Sequence, residues 1–336
     1  MKRIALLSGL RRLLLVSILA VITFFATTTQ QSAAKSITLK AVSFLPKSVT
    51  GVRFTGVFAK KVTERSNGQL IIKWVGGPDV MPPPSMGKAV MKGTVDLLAT
   101  AGGRIKDLMP EASANHLSEY TPMEERKNGY YDWLNKHYQK RMNVYYLGRL
   151  QSNVGWVSGA SFPLEKPEDF AGHKFSGRSL NVRALKTLGA APAVLKSTEL
   201  FTAVERGLVD GYTLPFTNII PWGLLPVTKY IVDHEFYRST QVQLLVNLDK
   251  WNKLPKELQD LMIEVAIEIE PEVVAFFGEK SRQHRKKMMD TGVKFVKFSP
   301  KDAKAYLGVM NNAAWEEYKT IVSPETYAQA RKLLLK

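Results

Sequence analysis

Residues 164–215 read LEKPEDFAGHKFSGRSLNVRALKTLGAAPAVLKSTELFTAVERGLVDGYTLP, and this stretch decides the fold. Pro167, Glu168 and Asp169 form a turn that opens a short helix stopped at Ala171-Gly172. His173 to Ser176 reads as a strand edge. Leu180 to Leu188 has helical spacing and ends at Gly189, a residue suited to the left-handed position after a helix. Ala191 to Leu195 is a short apolar strand. Thr198 caps a further helix in which Leu200, Phe201, Val204 and Leu208 share one face, and Gly207 ends it. Leu208-Val209-Asp210-Gly211 turns into the next segment, which Pro215 closes. The order β-α-β-α-β is that of an open α/β sheet, whose ligands collect at the carboxyl ends of the strands.

The same alternation runs outward from this stretch. Ile37 to Phe44 reads as a strand and Val52 to Arg65 as a helix. Ser66-Asn67-Gly68 is a turn, Gln69 to Val75 a second strand, Met86 to Met91 a helix and Val95 to Thr100 a third strand. Pro122 to Arg141 is helical and Val144 to Leu150 is a strand. The chain then crosses into a second lobe near Gln151 to Gly155 and returns after Tyr230 to Phe236. Gln241 to Asn247 is a strand of the first lobe. A very long helix starts at Leu254-Pro255, is interrupted near Pro271 and ends about Asp290. Lys294 to Phe298 is a strand, and Lys301 to Leu335 is helical. The expected lobes are residues 35–150 with 237–285, and 151–236 with 286–336.

The 336 residues are enough for two domains. There is no cysteine, which excludes disulfides, thiolate nucleophiles, thiolate metal sites and a lipid-anchored amino terminus. Lys2, Arg3, Arg11 and Arg12 precede an apolar run from Leu13 to Ala26, and Ser32-Ala33-Ala34 follows it. This is the pattern of a secretory signal peptide over residues 1–34, cut after Ala34, and it places the mature chain in the periplasm. A membrane anchor needs about 20 apolar residues, more than this run supplies. The net charge is +17, of which those four cations carry +4. The remaining cations are dispersed without a nucleic-acid-binding motif, so nucleic acid is not expected as a partner.

Little in the sequence points to catalysis. The histidines (His116, His137, His173, His234 and His284) are scattered, with no spacing that gathers metal ligands. Gly76-Gly77 and Gly102-Gly103 fit neither a dinucleotide fingerprint nor a P-loop. The basic run Lys280 to Lys287 reads as a solvated helix face. No cofactor and no metal are expected.

Several motifs in order resemble one family. They are Pro-x-Asp-x-x-Gly-x-Lys at 167–174, Leu-Gly-Ala at 188–190, Glu-x-x-x-Ala-x-x-x-Gly-x-x-Asp-Gly at 199–211 and Pro215. Upstream, Asn67-Gly68, Gly76-Gly77 and Lys92-Gly93-Thr94-Val95-Asp96 belong to the same pattern. Together they resemble the DctP-type solute-binding proteins of TRAP transporters. The resemblance implies a two-lobed periplasmic-binding-protein fold with mostly parallel sheets, hinge strands and a long bracing helix. It implies a monomer that captures a small organic solute in its cleft and delivers it to membrane permease subunits. A sensing subunit for a membrane kinase, or a secreted enzyme with another site, are the alternatives.

The resemblance also proposes a binding site. The family's Gly-x-Lys-x-Arg strand delivers an arginine that takes a carboxylate with two hydrogen bonds. Here Ser176 occupies that place, and Arg178 follows two residues later, with Arg149 and Arg183 as the other arginines in reach. Trp156 stands in the family's Gly-aromatic pair without the arginine that commonly follows. Tyr212 and Thr213 replace the usual polar pair after Asp210-Gly211. Phe216 and Trp222 add apolar surface, and Phe44 ends the first strand. The expected ligand is a carboxylate or other organic acid, bulky or aromatic, bordered by Trp156, Ser176, Arg178, Tyr212, Thr213, Phe216, Arg149 and Phe44.

Overall fold

The computed structural model describes residues 36–177, 181–237 and 241–336, and Thr38–Lys336 forms one compact unit. The signal-peptide expectation, on residues 1–34, lies outside the described residues, and so does Arg178.

Two sheets organise the chain. The first has strand order β2-β1-β3-β10-β4, from β1 (Ile37–Ser43), β2 (Leu70–Gly76), β3 (Leu97–Thr100), β4 (Val144–Gln151) and β10 (Val242–Asn247). The second has order β11-β9-β5-β8-β6-β7, from β5 (Trp156–Ala160), β6 (Lys174–Ser176), β7 (Ala191–Ala193), β8 (Gly211–Pro215), β9 (Tyr230–Val232) and β11 (Lys294–Val296). Both sheets are mixed. Strand β10 runs antiparallel to β3 and β4, and β5 antiparallel to β8 and β9, whereas β1–β3, β6–β7, β6–β8 and β9–β11 are parallel pairs. Strands β5, β10 and β11 are those by which the chain enters a sheet from the other one. All six residues of β10 are buried, as expected of a strand covered on both faces. Strand β6 is an interior strand between β8 and β7, not the edge that its sequence suggested.

Helices α1 (Arg53–Arg65), α2 (Pro83–Met91), α3 (Pro122–Asn128) and α4 (Tyr130–Met142) cover the first sheet. The helical stretch expected at 122–141 is thus two helices. Gly129 has φ +90 and separates them, while Thr121 and Glu124 cap α3 reciprocally. The second sheet carries α5 (Val182–Thr187) and α6 (Leu200–Glu205). Leu208 does not extend the apolar face of α6. The helix ends at Glu205, Gly207 turns the chain at φ +68, and Leu208 is exposed while Val209 is buried.

After the short α7 (Leu248–Asn252), α8 (Lys256–Asp290) runs 35 residues, about 52 Å at the usual helical rise, with Pro271 inside it. It packs on α1 and β4 and, further along, on the turn at Phe216–Asn218, so it braces both sheets. Helix α9 (Pro300–Ile321) also spans the two. Tyr306 shares a hydrogen bond with Ser158 of β5 at 2.8 Å, and Glu317 lies 3.6 Å from Lys106. Helix α10 (Pro324–Leu334) packs with α3 and α4 beside the first sheet, rather than with the second as residues 286–336 were assigned from sequence. Asn128 donates to the Leu333 carbonyl (2.9 Å), and the Lys336 amide donates to Glu119 (2.8 Å).

Candidate functional site

The chain changes sheets between Gln151 and Trp156 and again between Val232 and Val242, and these crossings are joined. The Trp156 amide donates to the Phe236 carbonyl at 2.7 Å and the Phe236 amide to the Trp156 carbonyl at 2.9 Å. Each crossing also holds a non-glycine residue in the left-handed region, Asn153 at φ +58 and Tyr237 at φ +48. Segments laced together between two sheets, with unusual backbone in each, are what a hinge requires.

Strand register sorts the residues beside this hinge. Ser158 pairs with Thr213 and Trp156 with Pro215, so Trp156 and Thr213 share one face of the second sheet. Ser176 pairs with Tyr212, so both take the other face. Thr213 is buried, and the Asn181 amide donates to its hydroxyl at 2.8 Å. Asn181 is fully buried at the start of α5. Among the described residues its Oδ1 has no hydrogen-bond partner, and neither does Nε1 of Trp156, although both atoms are buried. Gly177 lets α5 approach this corner: a Cβ there would come within 2.8 Å of Leu185. Trp156 packs edge-on against Tyr237 (5.9 Å between centroids), and Tyr237 against His116 (4.8 Å), which links the corner to the first sheet. Burial holds the His116 pKa down at about 4, against a smaller upward effect of the Ser113 carbonyl, so its ring is neutral.

The other expected site residues sit at different depths. Tyr212 is a core residue, its hydroxyl bonded to Thr228 at 2.6 Å, and burial raises its pKa. Phe216 is buried edge-on to Phe295 beneath Arg285. Phe44 is half-buried at the end of β1, with the Arg104 guanidinium 5.9 Å from its ring. Arg183 is exposed on α5. Arg149 is buried on β4, paired with Glu125 and 3.4 Å from the Ser152 hydroxyl. Burial pulls its pKa down to about 9, while the Glu270 charge pushes upward. Next to it Arg126 holds Glu270 with two hydrogen bonds of 2.7 and 2.9 Å. Arg149 is therefore engaged in a buried four-charge cluster. Asn181 was missed because a single asparagine ahead of a helix carries the same signal as any helix cap.

The arrangement sets buried polar groups beside the two crossings between the sheets. Comparison with known proteins fits it. Residues 43–320 match the family described as bacterial extracellular solute-binding protein, family 7 (DctP). The chain belongs to this family. It is thus a TRAP-type solute-binding protein and not an enzyme. A solute-binding protein of Albidiferax ferrireducens is 25% identical over 274 residues, 78% of this chain and 79% of that one. The C4-dicarboxylate-binding periplasmic protein DctP of Rhodobacter capsulatus is 28% identical over 172 residues, 50% of this chain and 49% of that one. A TRAP periplasmic solute-binding protein from Ochrobactrum anthropi shares the fold, with a TM-score of 0.76 at 22% identity, covering 89% of this chain and 95% of that one. Among the described residues of this solute-binding protein, no helix is long and apolar enough to cross a membrane.

Proposed function

We propose that this chain captures a small organic acid in the periplasm and hands it to the membrane subunits of a TRAP transporter. The solute sits at the carboxyl ends of the second sheet's parallel strands, beside Trp156, Asn181 and Thr213. The observation that carries the reading is the pair of buried polar atoms there that have no partner among the described residues, Nε1 of Trp156 and Oδ1 of Asn181. Buried polar atoms are nearly always hydrogen-bonded, and a solute with an acceptor and a donor would complete these two. Arg178 follows Gly177 directly in sequence and is the cation proposed to pair with the carboxylate, because an unpaired buried carboxylate costs several kcal/mol. The dicarboxylate named for the Rhodobacter relative supports an acid as the solute class.

A thermal-shift panel of C4-dicarboxylates, 2-oxo acids and aromatic acids tests this, since a bound solute stabilises the folded chain. At least one acid raises the melting temperature, and Arg178→Ala weakens it roughly 30-fold or more by calorimetry. No shift with any acid overturns the solute class. Unchanged affinity in Arg178→Ala removes that residue from the site.

A further inference from the structure

Helices α5 and α9 leave an open groove between them. Its larger part encloses about 690 Å³ and its smaller part about 350 Å³. Arg183 lines both, and the α9 residues that line them follow one another along one stripe of that helix. From Lys301 to Thr320 the groove follows α9 for about 28 Å at the helical rise. That is far longer than a small solute and suits an extended polypeptide of about eight residues.

The charge along the groove is graded. Arg183 and Lys186 stand on the α5 wall, Lys301 and Lys304 at one end of the α9 wall, and Glu316 and Glu317 towards the other end. Among the described residues, none of the four cations has a carboxylate within 4 Å, whereas Glu317 lies 3.6 Å from Lys106. The floor includes Gly308, a glycine inside a 22-residue helix. Such a glycine costs stability, and packing does not demand it here, because a Cβ at 308 would meet nothing within 4 Å. What its missing side chain does is keep the floor low.

We propose that this groove docks an acidic polypeptide segment of the membrane subunits. The segment's carboxylates lie on Arg183, Lys301 and Lys304, and its chain runs over Gly308. This proposal rests on the reading of the protein as a TRAP solute-binding subunit. A flat anionic lipid surface fits less well, since it would meet Glu316 and Glu317. The position gives docking a consequence. One wall, α5, starts at Asn181 in the candidate site. The other, α9, is tied to the second sheet through Tyr306 and Ser158 and to the first-sheet side through Glu317 and Lys106. A segment in the groove therefore touches elements of both lobes, and its affinity reports their relative placement.

The probe is a fluorescently labelled ten-residue peptide with four glutamates at one end and serine and alanine elsewhere, followed by anisotropy. Wild-type protein binds it, and the affinity falls as salt rises. The double variant K301E/K304E and, separately, Gly308→Leu each weaken it about tenfold or more, while K280E/K287E, an equal charge change on α8, does not. Equal binding in wild type and both groove variants, or equal loss in the α8 variant, overturns the proposal. So does an absence of binding by wild type. Phosphatidylglycerol vesicles that displace the peptide, and whose own binding K301E/K304E abolishes, would reassign the groove to lipid. Circular dichroism melts verify that each variant folds. The organic-acid thermal shift, measured on the same samples, persists in the groove variants if the solute reading is right, so the two ideas fail separately.

Discussion

Two clusters of buried polar groups, one beneath each sheet, are finished differently. Beneath the first sheet, Arg126 forks onto Glu270, Arg149 pairs with Glu125, and Ser118 donates to Glu125. Gly148 makes room, since a Cβ there would come within 2.6 Å of Glu270. The charges are two positive and two negative, and each has its partner inside the chain. At the second sheet, Asn181 and Thr213 are as deeply buried and Trp156 is half-buried, and all three are neutral, yet two of their polar atoms have no partner among the described residues. Arg149 is thus committed inside the chain. Buried polar atoms without a partner among the described residues also occur at Thr55, Asn115 and Gln243, so it is the place of Asn181 and Trp156 beside the crossings between the sheets that marks these two.

The comparison breaks most visibly at Glu270. Removing one partner from a buried pair leaves the other charge uncompensated, a cost of about 3–5 kcal/mol. Glu270→Ala is expected to lower the urea midpoint by an amount equivalent to that loss, with Arg126 left unpaired. A change below about 1 kcal/mol would mean that the cluster relaxes or hydrates when opened, and is not closed in the sense argued.

The next effect comes from His116, the polar group that meets the hinge from the first-sheet side. Its folded pKa, about 4, lies below the ordinary value of 6.5. The unfolded chain therefore takes up a proton near pH 6.5 that the folded chain refuses until about pH 4. Stability rises with pH across that window by up to about 3 kcal/mol, and it is flat above. His284 acts in the same direction, through burial and then the charges of Lys280 and Lys287. Urea midpoints between pH 4 and 7 test this. His116→Asn should flatten part of the slope and His284→Asn another part, and a slope unchanged in both variants would place its origin elsewhere.

At the open cluster the expected effect falls on affinity rather than stability. Asn181→Ala removes one bond to Thr213 and one unpartnered oxygen, and costs about 1 kcal/mol of folding free energy. Its loss should weaken the acid found by thermal shift by about 1–3 kcal/mol, read by calorimetry. Unchanged affinity would leave Asn181 as a helix cap and no more.

Much of this was legible in the sequence, and what was not has physical reasons. Periodicity and glycine placement give β4, β10, α1 and the 35-residue α8 within a few residues, because long runs with one buried face state their pattern many times over. They miss the split at Gly129, where a single left-handed residue interrupts an otherwise helical pattern, and the exposure of Leu208, which depends on α6 ending two residues early. The site is less legible still. Tyr212 and Thr213 are neighbours in sequence but alternate across the sheet, and only register with β5 and β6 shows that Thr213 shares a face with Trp156 while Tyr212 shares one with Ser176. Arg149 is two residues from the end of its strand, as a ligand arginine would be, and nothing local announces that Glu125 and Glu270 converge on it from distant helices.

The smallest expected effect asks whether burial, rather than charge, separates the closed cluster from other ion pairs. Helix α8 supplies its own control. Glu270 faces the interior, whereas Glu264, Glu268 and Glu272, one turn apart, face α1. There Lys61 lies 2.6 Å from Glu268 and 2.7 Å from Glu272, and Arg65 lies 2.7 Å from Glu264 and 2.9 Å from Glu268. These contacts are as short as those of Glu270, but the Glu268 side chain is 45% exposed against 2% for Glu270. Water already solvates both partners, so the pairs gain little on forming and lose little on breaking. The hydrogen bond from Lys61 and its charge hold the Glu268 carboxyl below its ordinary range. Its contribution is thus present above about pH 4.5 and fades as acid protonates the folded carboxylate. Lys61→Ala should therefore shift stability by less than about 1 kcal/mol at neutral pH, and by less again in molar salt. A loss as large as that of Glu270→Ala, insensitive to salt, would show that helix α8 is held by charge on both faces, and that burial is not what distinguishes them.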